Sequence, residues 1–180
     1  AQAVQAYQAC KLCDGRRSPV FGSADAAPAR ADWMVVGEPP EEAEERAGMP
    51  FVGQAGQLLD NMLKAVGVAR QAPGTDQAPD AAAQRAYLSN VVKCRPALVR
   101  NPAPQDLAAC ETYLRREVAL VQPKVILAMG RFGAQSLLQD SLPEAAELPL
   151  GKLRGQTYHH LGIPVVVTYH PAYLLRTLPD

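Results

Sequence analysis

Three polar side chains stand at the ends of short apolar runs, where they are well placed to do chemistry. Glu38 follows "DWMVVG", Asn90 follows "AYLS", and His170 ends "IPVVVTYH" just before a proline. A carboxylate, a carboxamide and an imidazole together suit the recognition of a polar small molecule and acid–base work on it. A lone histidine is more often a structural residue, but His170 shares its strand-end position with the other two.

Four cysteines form a second candidate site. Cys10 and Cys13 make a CxxC pair, whereas Cys94 and Cys110 stand alone in the sequence. A CxxC lets two thiolates converge on one ion or cluster, and folding must deliver the other two. A four-cysteine zinc site and a [4Fe–4S] cluster are both open, and the single close pair favours iron–sulfur. The alternative is a set of inert buried thiols with an accidental CxxC.

The segment "PFVGQAG" at 50–56 is a third candidate. Gly53 and Gly56 flank Gln54 and permit close backbone approach at the start of a helix, whose free amides suit an anion or a carbonyl. Phe51 beside them is either a stacking surface for a ring or simply a core residue. Upstream, Pro39 and a second proline stiffen the turn that presents Glu38.

Four apolar strands must position these residues, and they are predicted at 32–38, 86–94, 124–130 and 163–170. Helical patterns separate them, which predicts parallel pairing with both faces of the sheet covered. The expected fold is therefore α/β, a three-layer α/β/α sandwich around a four-stranded, mainly parallel sheet. Ligands of such sheets bind at the carboxyl ends of the strands, where Gly37, Glu38, Asn90 and His170 stand.

The composition is that of an ordinary globular chain. Its 180 residues, 48% hydrophobic and 20% charged, suit one domain over 1–180, with an N-terminal arm (about 1–22) tied in by the metal cluster. No apolar run approaches the ~18 residues of a membrane span, and the first residues lack a signal-peptide core, so we expect a cytoplasmic protein. The formal net charge is zero, so composition alone gives no hint of a polyanionic partner.

Taken in order, these motifs resemble family 4 of the uracil-DNA glycosylases, the iron–sulfur type. That family's pattern runs from GEAPG through PFVGxAG and NVVKCRP to HP(S/A)YLLR. The corresponding segments here are "GEPPE" at 37–41, "PFVGQAG" at 50–56, "NVVKCRP" at 90–96 and "HPAYLLR" at 170–176. The resemblance extends from Cys10 to the end of the chain. Pro39 and Glu41 depart from the family's alanine and glycine where the catalytic water is expected.

The resemblance implies a monomeric, monofunctional DNA-repair glycosylase that flips uracil out of single- or double-stranded DNA and hydrolyses its N-glycosidic bond. Phe51 would stack on the base, and Asn90 would accept from uracil N3–H and donate to O4. His170 would stabilise the departing uracilate at O2, and Glu38 would position the attacking water. Gly37, Gly53 and Gln54 would complete the uracil pocket. The resemblance also implies a structural [4Fe–4S] cluster on Cys10, Cys13, Cys94 and Cys110.

The final motif also implies the contacts to DNA. Leu174 and Leu175, on an exposed turn, would fill the space that the flipped base leaves. Arg176 would contact phosphates, with further candidates in the set Lys93, Arg95, Lys152 and Arg154. Two other functions are open: a nucleic-acid-binding module of the same fold that has lost turnover through Pro39 and Glu41, and a small-substrate α/β hydrolase with a zinc site.

Overall fold

The computed structural model describes residues 11–12, 14–22, 30–71, 84–97 and 101–177. Cys10 and Cys13 lie outside these residues, so two of the four predicted cluster ligands have no described position. In the described ranges, no helix is both long and apolar enough to cross a membrane.

One mixed sheet of six strands forms the centre of the protein. Its strands in chain order are β1 (Trp33–Gly37), β2 (Val68–Arg70), β3 (Gln84–Asn90), β4 (Val125–Met129), β5 (Thr157–His160) and β6 (Ile163–Thr168). Their spatial order is β2-β3-β1-β4-β6-β5, with only the β5–β6 pair antiparallel. The four predicted strands form the centre of the sheet. The predicted strand number was too low by two, because the outer strands are short: β2 has three residues and β5 has four, all polar or aromatic.

Helices connect the strands. They are α1 (Glu42–Ala47), α2 (Gly53–Ala65), α3 (Pro104–Val121), α4 (Arg131–Leu138), α5 (Leu150–Leu153) and α6 (Pro171–Thr177), with a 3₁₀ turn at Pro143–Ala146. Pro104 opens α3 at the position where its missing N–H costs nothing. Helix α6 begins at Pro171, so the segment predicted as an exposed turn after His170 is a helix instead.

Two hydrophobic clusters cover the two faces of the sheet. Side chains alternate along a strand, and in β1 Met34 and Val36 join the cluster that includes α3 and α4. Val35 between them joins the cluster formed with α2, through Leu59 and Leu63. Both faces are thus buried, and the predicted three-layer α/β/α architecture is confirmed.

The parallel register brings the predicted polar residues to one edge of the sheet. Gly37 at the end of β1 pairs with Asn90 at the end of β3, and Met129 at the end of β4 pairs with Thr168 of β6. Glu38 and His170 follow these strand ends within two residues. The prediction that these side chains share the carboxyl edge of the sheet is correct.

Candidate active site

His170 and Phe51 form a ring pair at the carboxyl edge of the sheet. Their ring centroids are 5.2 Å apart and their planes differ by 20°, which is an offset stack. Gly37 makes the pair possible, because a Cβ there would stand 2.5 Å from Phe51 Cζ and 3.3 Å from His170 Nε2.

The hydrogen bonding of His170 fixes which ring nitrogen can donate. The backbone N–H of Ala172 donates to His170 Nδ1 over 3.2 Å, so the proton of the neutral ring is on Nε2. Burial and, to a smaller extent, the positive charge of Arg176 together lower the pKa of His170 to about 4. At neutral pH the site therefore presents an uncharged imidazole with a donor at Nε2, beside Phe51 and Gly37.

Glu38 is held at the start of α4. The backbone N–H of Phe132 donates to Glu38 Oε1 over 2.9 Å, and only a glycine fits at 130, since a Cβ there would stand 2.0 Å from that oxygen. Burial raises the pKa of Glu38 to about 7, against the opposing effect of the Phe132 amide and the charge of Arg131. A carboxylate with this pKa is suited to general-base work near neutral pH.

The Asn90 side chain is locked in one orientation. Its Nδ2 donates to the Glu38 carbonyl over 2.9 Å and to Glu44 Oε1 over 3.2 Å. Its Oδ1 is buried and has no hydrogen-bond partner within the described part of the chain. Because both Nδ2 hydrogens are engaged, the oxygen is the group that remains for a ligand, and a buried acceptor without a partner is costly. The predicted donation to O4 of a base would require one of these bonds to be given up.

Glu44 organises this part of the site, and the sequence analysis did not identify it. Its carboxylate accepts from Asn90, from the Phe51 backbone N–H over 2.6 Å and from the Glu41 N–H over 2.7 Å. Burial raises its pKa above the usual range. The signal in the sequence is the Glu41-x-x-Glu44 spacing, which resembles the capping box of a helix N-terminus.

Phe51 lies on a strained turn that several contacts hold in place. Its φ of 53° is unusual for a residue with a side chain. Arg70 Nη2 donates to the Phe51 carbonyl over 2.8 Å, and Gly56 lies so close that a Cβ there would meet this oxygen at 1.9 Å. The predicted need for a glycine at 56 is thereby explained, since the helix α2 backbone packs against the turn that carries the ring.

A cavity of about 420 Å³ opens beside these residues. Glu38, Glu44 and His170 belong to its lining, as do Tyr173 and Arg176 of α6. Phe51 and Asn90 are outside the lining, and their exposed fractions are 2% and 1%. Five predicted residues therefore lie close together: Gly37, Glu38, Phe51, Asn90 and His170. The cavity does not reach Phe51 and Asn90, because neighbouring residues cover their side chains.

Two predicted pocket residues lie at the periphery. Gly53 begins α2 with a φ of 70°, and Gln54 follows it. Both are exposed and neither belongs to the cavity lining.

The predicted DNA-contacting residues divide into three groups. Leu174 and Leu175 are half-buried on α6, not free on an exposed turn, because the chain becomes helical at Pro171. Arg176, Lys152 and Arg154 are exposed. Lys93 and Arg95 form ion pairs within the protein.

The suggestion that Lys93 contacts phosphate was wrong, because this side chain is buried in a polar network. Lys93 Nζ donates to Glu117 Oε2 over 2.7 Å, to the Asn90 carbonyl over 3.0 Å and to Ser89 Oγ. Arg95 is half-buried and pairs with Glu45 over 3.5 Å. Both cations stabilise the segment after β3.

The described cysteines lie in the main core. Cys94 and Cys110 are buried in one hydrophobic cluster, and Leu12, which stands between Cys10 and Cys13 in the sequence, is buried in the same cluster. Arg16 Nη1 also lies 3.0 Å from Cys94 Sγ, and the Val20 N–H donates to the Lys93 carbonyl over 2.7 Å. The N-terminal arm is therefore docked where Cys94 and Cys110 are. Across the residues that are described, no group of three or more acidic, histidine or cysteine side chains could hold a metal.

Comparison with known proteins identifies the family of this chain. A sequence profile described as "Uracil DNA glycosylase superfamily" matches residues 24–179. A type-4 uracil-DNA glycosylase of Archaeoglobus fulgidus is 31% identical over 96% of this chain and 81% of its own length. The type-4 uracil-DNA glycosylase of Pyrobaculum aerophilum is 34% identical over 93% of this chain and 78% of its own length. The type-4 uracil-DNA glycosylase of Thermotoga maritima is 33% identical over 98% of this chain and 81% of its own length. The fold, the convergent site and these similarities together establish that the chain belongs to the uracil-DNA glycosylase superfamily and, within it, to the type-4 family.

Proposed function

We propose that this protein is a DNA-repair glycosylase that hydrolyses the N-glycosidic bond of uracil in DNA, releasing uracil and leaving an abasic site. The observation that carries the proposal is the Asn90 side chain, whose buried oxygen lacks a partner among the described residues while its nitrogen is fixed by Glu38 and Glu44. Uracil carries a hydrogen on N3, and the Asn90 oxygen can accept a hydrogen bond from this N3–H group. Cytosine has an unprotonated N3, so the same oxygen would repel it.

The ring pair supports the rest of the pocket. A uracil stacked on Phe51 would lie in the layer of the offset His170 ring, with its edge toward Nε2. The neutral imidazole donates from Nε2 to uracil O2, where negative charge develops as the bond to the sugar breaks. A preorganised donor of this kind typically contributes ~10²–10³-fold in rate. Since Phe51 and Asn90 are nearly inaccessible, the base must displace local side chains to reach them.

Glu38 acts on the sugar side of the bond. In its ionised form it orients and deprotonates the attacking water and opposes the positive charge that develops on the sugar. The water oxygen bonds to the sugar carbon, the electron pair of the broken bond leaves with the uracil, and the water proton passes to Glu38. A Schiff-base lyase step is not expected, because Lys93, the lysine bonded to Asn90, is paired with Glu117.

Cys10, Cys13, Cys94 and Cys110 would hold a [4Fe–4S] cluster. The burial of Leu12 in the same hydrophobic core as Cys94 and Cys110 supports this set, because Leu12 stands between Cys10 and Cys13 in the sequence. The cluster would crosslink the arm to the segment after β3 and contribute no chemistry to base excision. Iron and sulfide analysis with a visible absorption spectrum tests this. We expect iron and colour that Cys110→Ala abolishes, whereas a colourless protein with stoichiometric zinc would establish the zinc site instead.

Incubation with a single-uracil oligonucleotide, followed by alkali, tests the activity itself. We expect strand scission at the uracil position and none on the matched cytosine oligonucleotide. His170→Ala should lower the rate by at least ~100-fold while retaining the melting temperature. Asn90→Asp should lower the rate to a similar extent and also lower the melting temperature, because it sets a second carboxylate against that of Glu44. Tight binding without scission at stoichiometric protein would favour the alternative, a binding module that has lost turnover.

A further inference from the structure

Three side chains beside the active site form a continuous stack. The Arg154 guanidinium lies 4.4 Å from the centre of the Tyr169 ring. Tyr169 in turn stacks on Tyr173, with centroids 5.1 Å apart and planes 30° from parallel. An arginine over one tyrosine that supports a second tyrosine is a preorganised arrangement, since each ring limits the rotation of the next.

The stack ends next to the cavity of the active site. Tyr173 lines this cavity together with His170 and Arg176, and its backbone N–H donates to the His170 carbonyl over 3.0 Å. Tyr173 is nevertheless 45% exposed, which is unusual for a large aromatic side chain on a short helix that packs on the protein. Tyr173 therefore presents a partly exposed ring at the mouth of the site, with the Tyr169 ring stacked on it.

Positive charge accompanies this open aromatic surface. Lys152, Arg154 and Arg176 are all exposed, and no ion pair is found for them in the described ranges. Arg46 and Arg95, in contrast, pair with glutamates of α1, the helix that contributes Glu42 and Glu44 to the acidic side of the same cavity. An unpaired cation beside an exposed aromatic ring is the combination that binds single-stranded nucleic acid, through phosphate attraction and base stacking.

From this geometry we propose that Tyr173 is a stacking platform for a nucleobase adjacent to the extruded uracil, supported from behind by Tyr169 and Arg154. The inference rests on the proposed function, because the substrate strand must pass the mouth of the cavity to deliver uracil to His170. Flipping a base removes a stacking partner from its neighbour, and an aromatic ring at the mouth supplies a replacement. The ring has no preference among the four bases, so the contact strengthens binding without adding sequence specificity.

A fluorescence experiment tests the platform directly. The probe is a single-stranded oligonucleotide with 2-aminopurine next to 2′-fluoro-2′-deoxyuridine, a uracil nucleotide that resists cleavage. Stacking on Tyr173 should quench the 2-aminopurine when it is on one side of the uracil and not when it is several nucleotides away. Tyr173→Phe should retain the quenching and the affinity, whereas Tyr173→Leu should lose the quenching and bind about tenfold more weakly.

Kinetics and a matched control complete the test. Tyr173→Leu should raise KM for uracil excision more than it lowers kcat. The control is Val66→Ala, which changes an exposed apolar residue (62% exposed) just after the C-terminal end of α2. Its KM and kcat should equal those of the unmodified protein. If Tyr173→Leu binds and quenches like the unmodified protein, or if Tyr173→Phe is as defective as Tyr173→Leu, the platform is refuted. If the unmodified protein quenches the probe but excises no uracil, the proposed function fails and the platform stands.

Discussion

Burial has opposite effects on the two groups that we assign to catalysis. It raises the pKa of Glu38 to about 7 and lowers the pKa of His170 to about 4, because in each case the charged form is the one that loses hydration. Between these two values the histidine is neutral and Glu38 is mostly protonated. The active combination, a neutral imidazole with an ionised carboxylate, becomes dominant only above pH 7.

The pH dependence of kcat/KM should therefore report Glu38. We expect kcat/KM for uracil excision to rise about tenfold per pH unit below pH 7 and to level off above about pH 8. His170 is already neutral throughout this range, so its titration adds no second limb between pH 5 and 8. Initial rates on a uracil oligonucleotide in buffers of constant ionic strength measure the profile.

Glu38→Gln provides the control for this profile, since glutamine preserves the size of the side chain and does not titrate. The substituted enzyme should be slow and nearly independent of pH over the same range. A profile that is unchanged in shape in Glu38→Gln would assign the titration to another group and would remove Glu38 from the role of base.

Glu44 should control discrimination between uracil and cytosine. Its carboxylate can only accept, so it forces the Asn90 NH₂ toward itself and the oxygen away. Glu44→Gln can donate instead, which allows the Asn90 amide to turn over and present its NH₂ to a base. A charge-assisted hydrogen bond contributes ~1.5–3 kcal/mol, so uracil excision should fall by roughly 10–100-fold.

Competition between uracil and cytosine oligonucleotides measures this effect. Glu144→Gln is the matched control, because Glu144 is exposed on the 3₁₀ turn and is not part of the cavity lining. The ratio of uracil to cytosine binding should fall in Glu44→Gln and stay unchanged in Glu144→Gln. If Glu44→Gln prefers uracil over cytosine as strongly as the unmodified protein does, contacts other than Glu44 fix the orientation of the Asn90 amide.

Among the elements, the central strands could be predicted from sequence and the outer ones could not. β1, β4 and β6 are largely apolar and β3 contains a shorter apolar run at 86–88, because both faces of a parallel sheet are buried. The ends of these runs correctly located Glu38, Asn90 and His170. β2 has three residues and β5 reads "TYHH", so neither shows the apolar pattern of a buried strand.

Helix α6 illustrates a second limit. Pro171 ends the β6 run, and a proline after a strand is equally consistent with a turn or with the first position of a helix. What decides between them is tertiary: α6 packs against α2, which is distant in sequence. The two leucines are half-buried for that reason, and no local pattern could have indicated it.

The buried polar network around Lys93 connects two secondary-structure elements, so its contribution to stability can be tested. The Lys93–Glu117 pair, with exposed fractions of 2% and 13%, ties β3 to α3. Lys93→Met leaves the carboxylate without its cation and should lower the free energy of unfolding by ~3–5 kcal/mol, as urea denaturation of the intact protein would show. Lys124→Met breaks an exposed pair with Asp32 (79% and 30% exposed) and should cost less than ~1 kcal/mol.

The double substitution Lys93→Met with Glu117→Leu separates the ion pair from simple packing. Because no charge is then left buried, it should recover much of the stability that Lys93→Met loses. Equal losses in the single and the double variant would mean that the volume of the lysine side chain, and not its charge, is what the network requires.

At the scale of the whole molecule, the balance of charge conceals an uneven distribution. Lys and Arg total 18 and Asp and Glu total 18, yet many of the described cations are neutralised in ion pairs within the protein. Arg176, on α6 at the mouth of the cavity, is one of the described cations for which no ion pair is found in the described ranges. A neutral protein can therefore still attract a polyanion at one edge of its sheet.

Arg176 should accordingly contribute one phosphate contact to DNA binding, which the salt dependence of affinity measures. In a plot of log Kd against log salt concentration, Arg176→Gln should weaken binding and reduce the slope by about one unit, because one fewer counterion is released. Lys64→Gln changes an exposed cation at the opposite end of α2 and should leave both quantities unaltered. Since Arg176 also lowers the pKa of His170, the comparison belongs at pH 8, where the imidazole is neutral in both proteins. If Arg176→Gln and Lys64→Gln reduce the slope equally, DNA is attracted by positive charge over the whole surface. Arg176 would then not be a specific phosphate contact at the mouth of the active site.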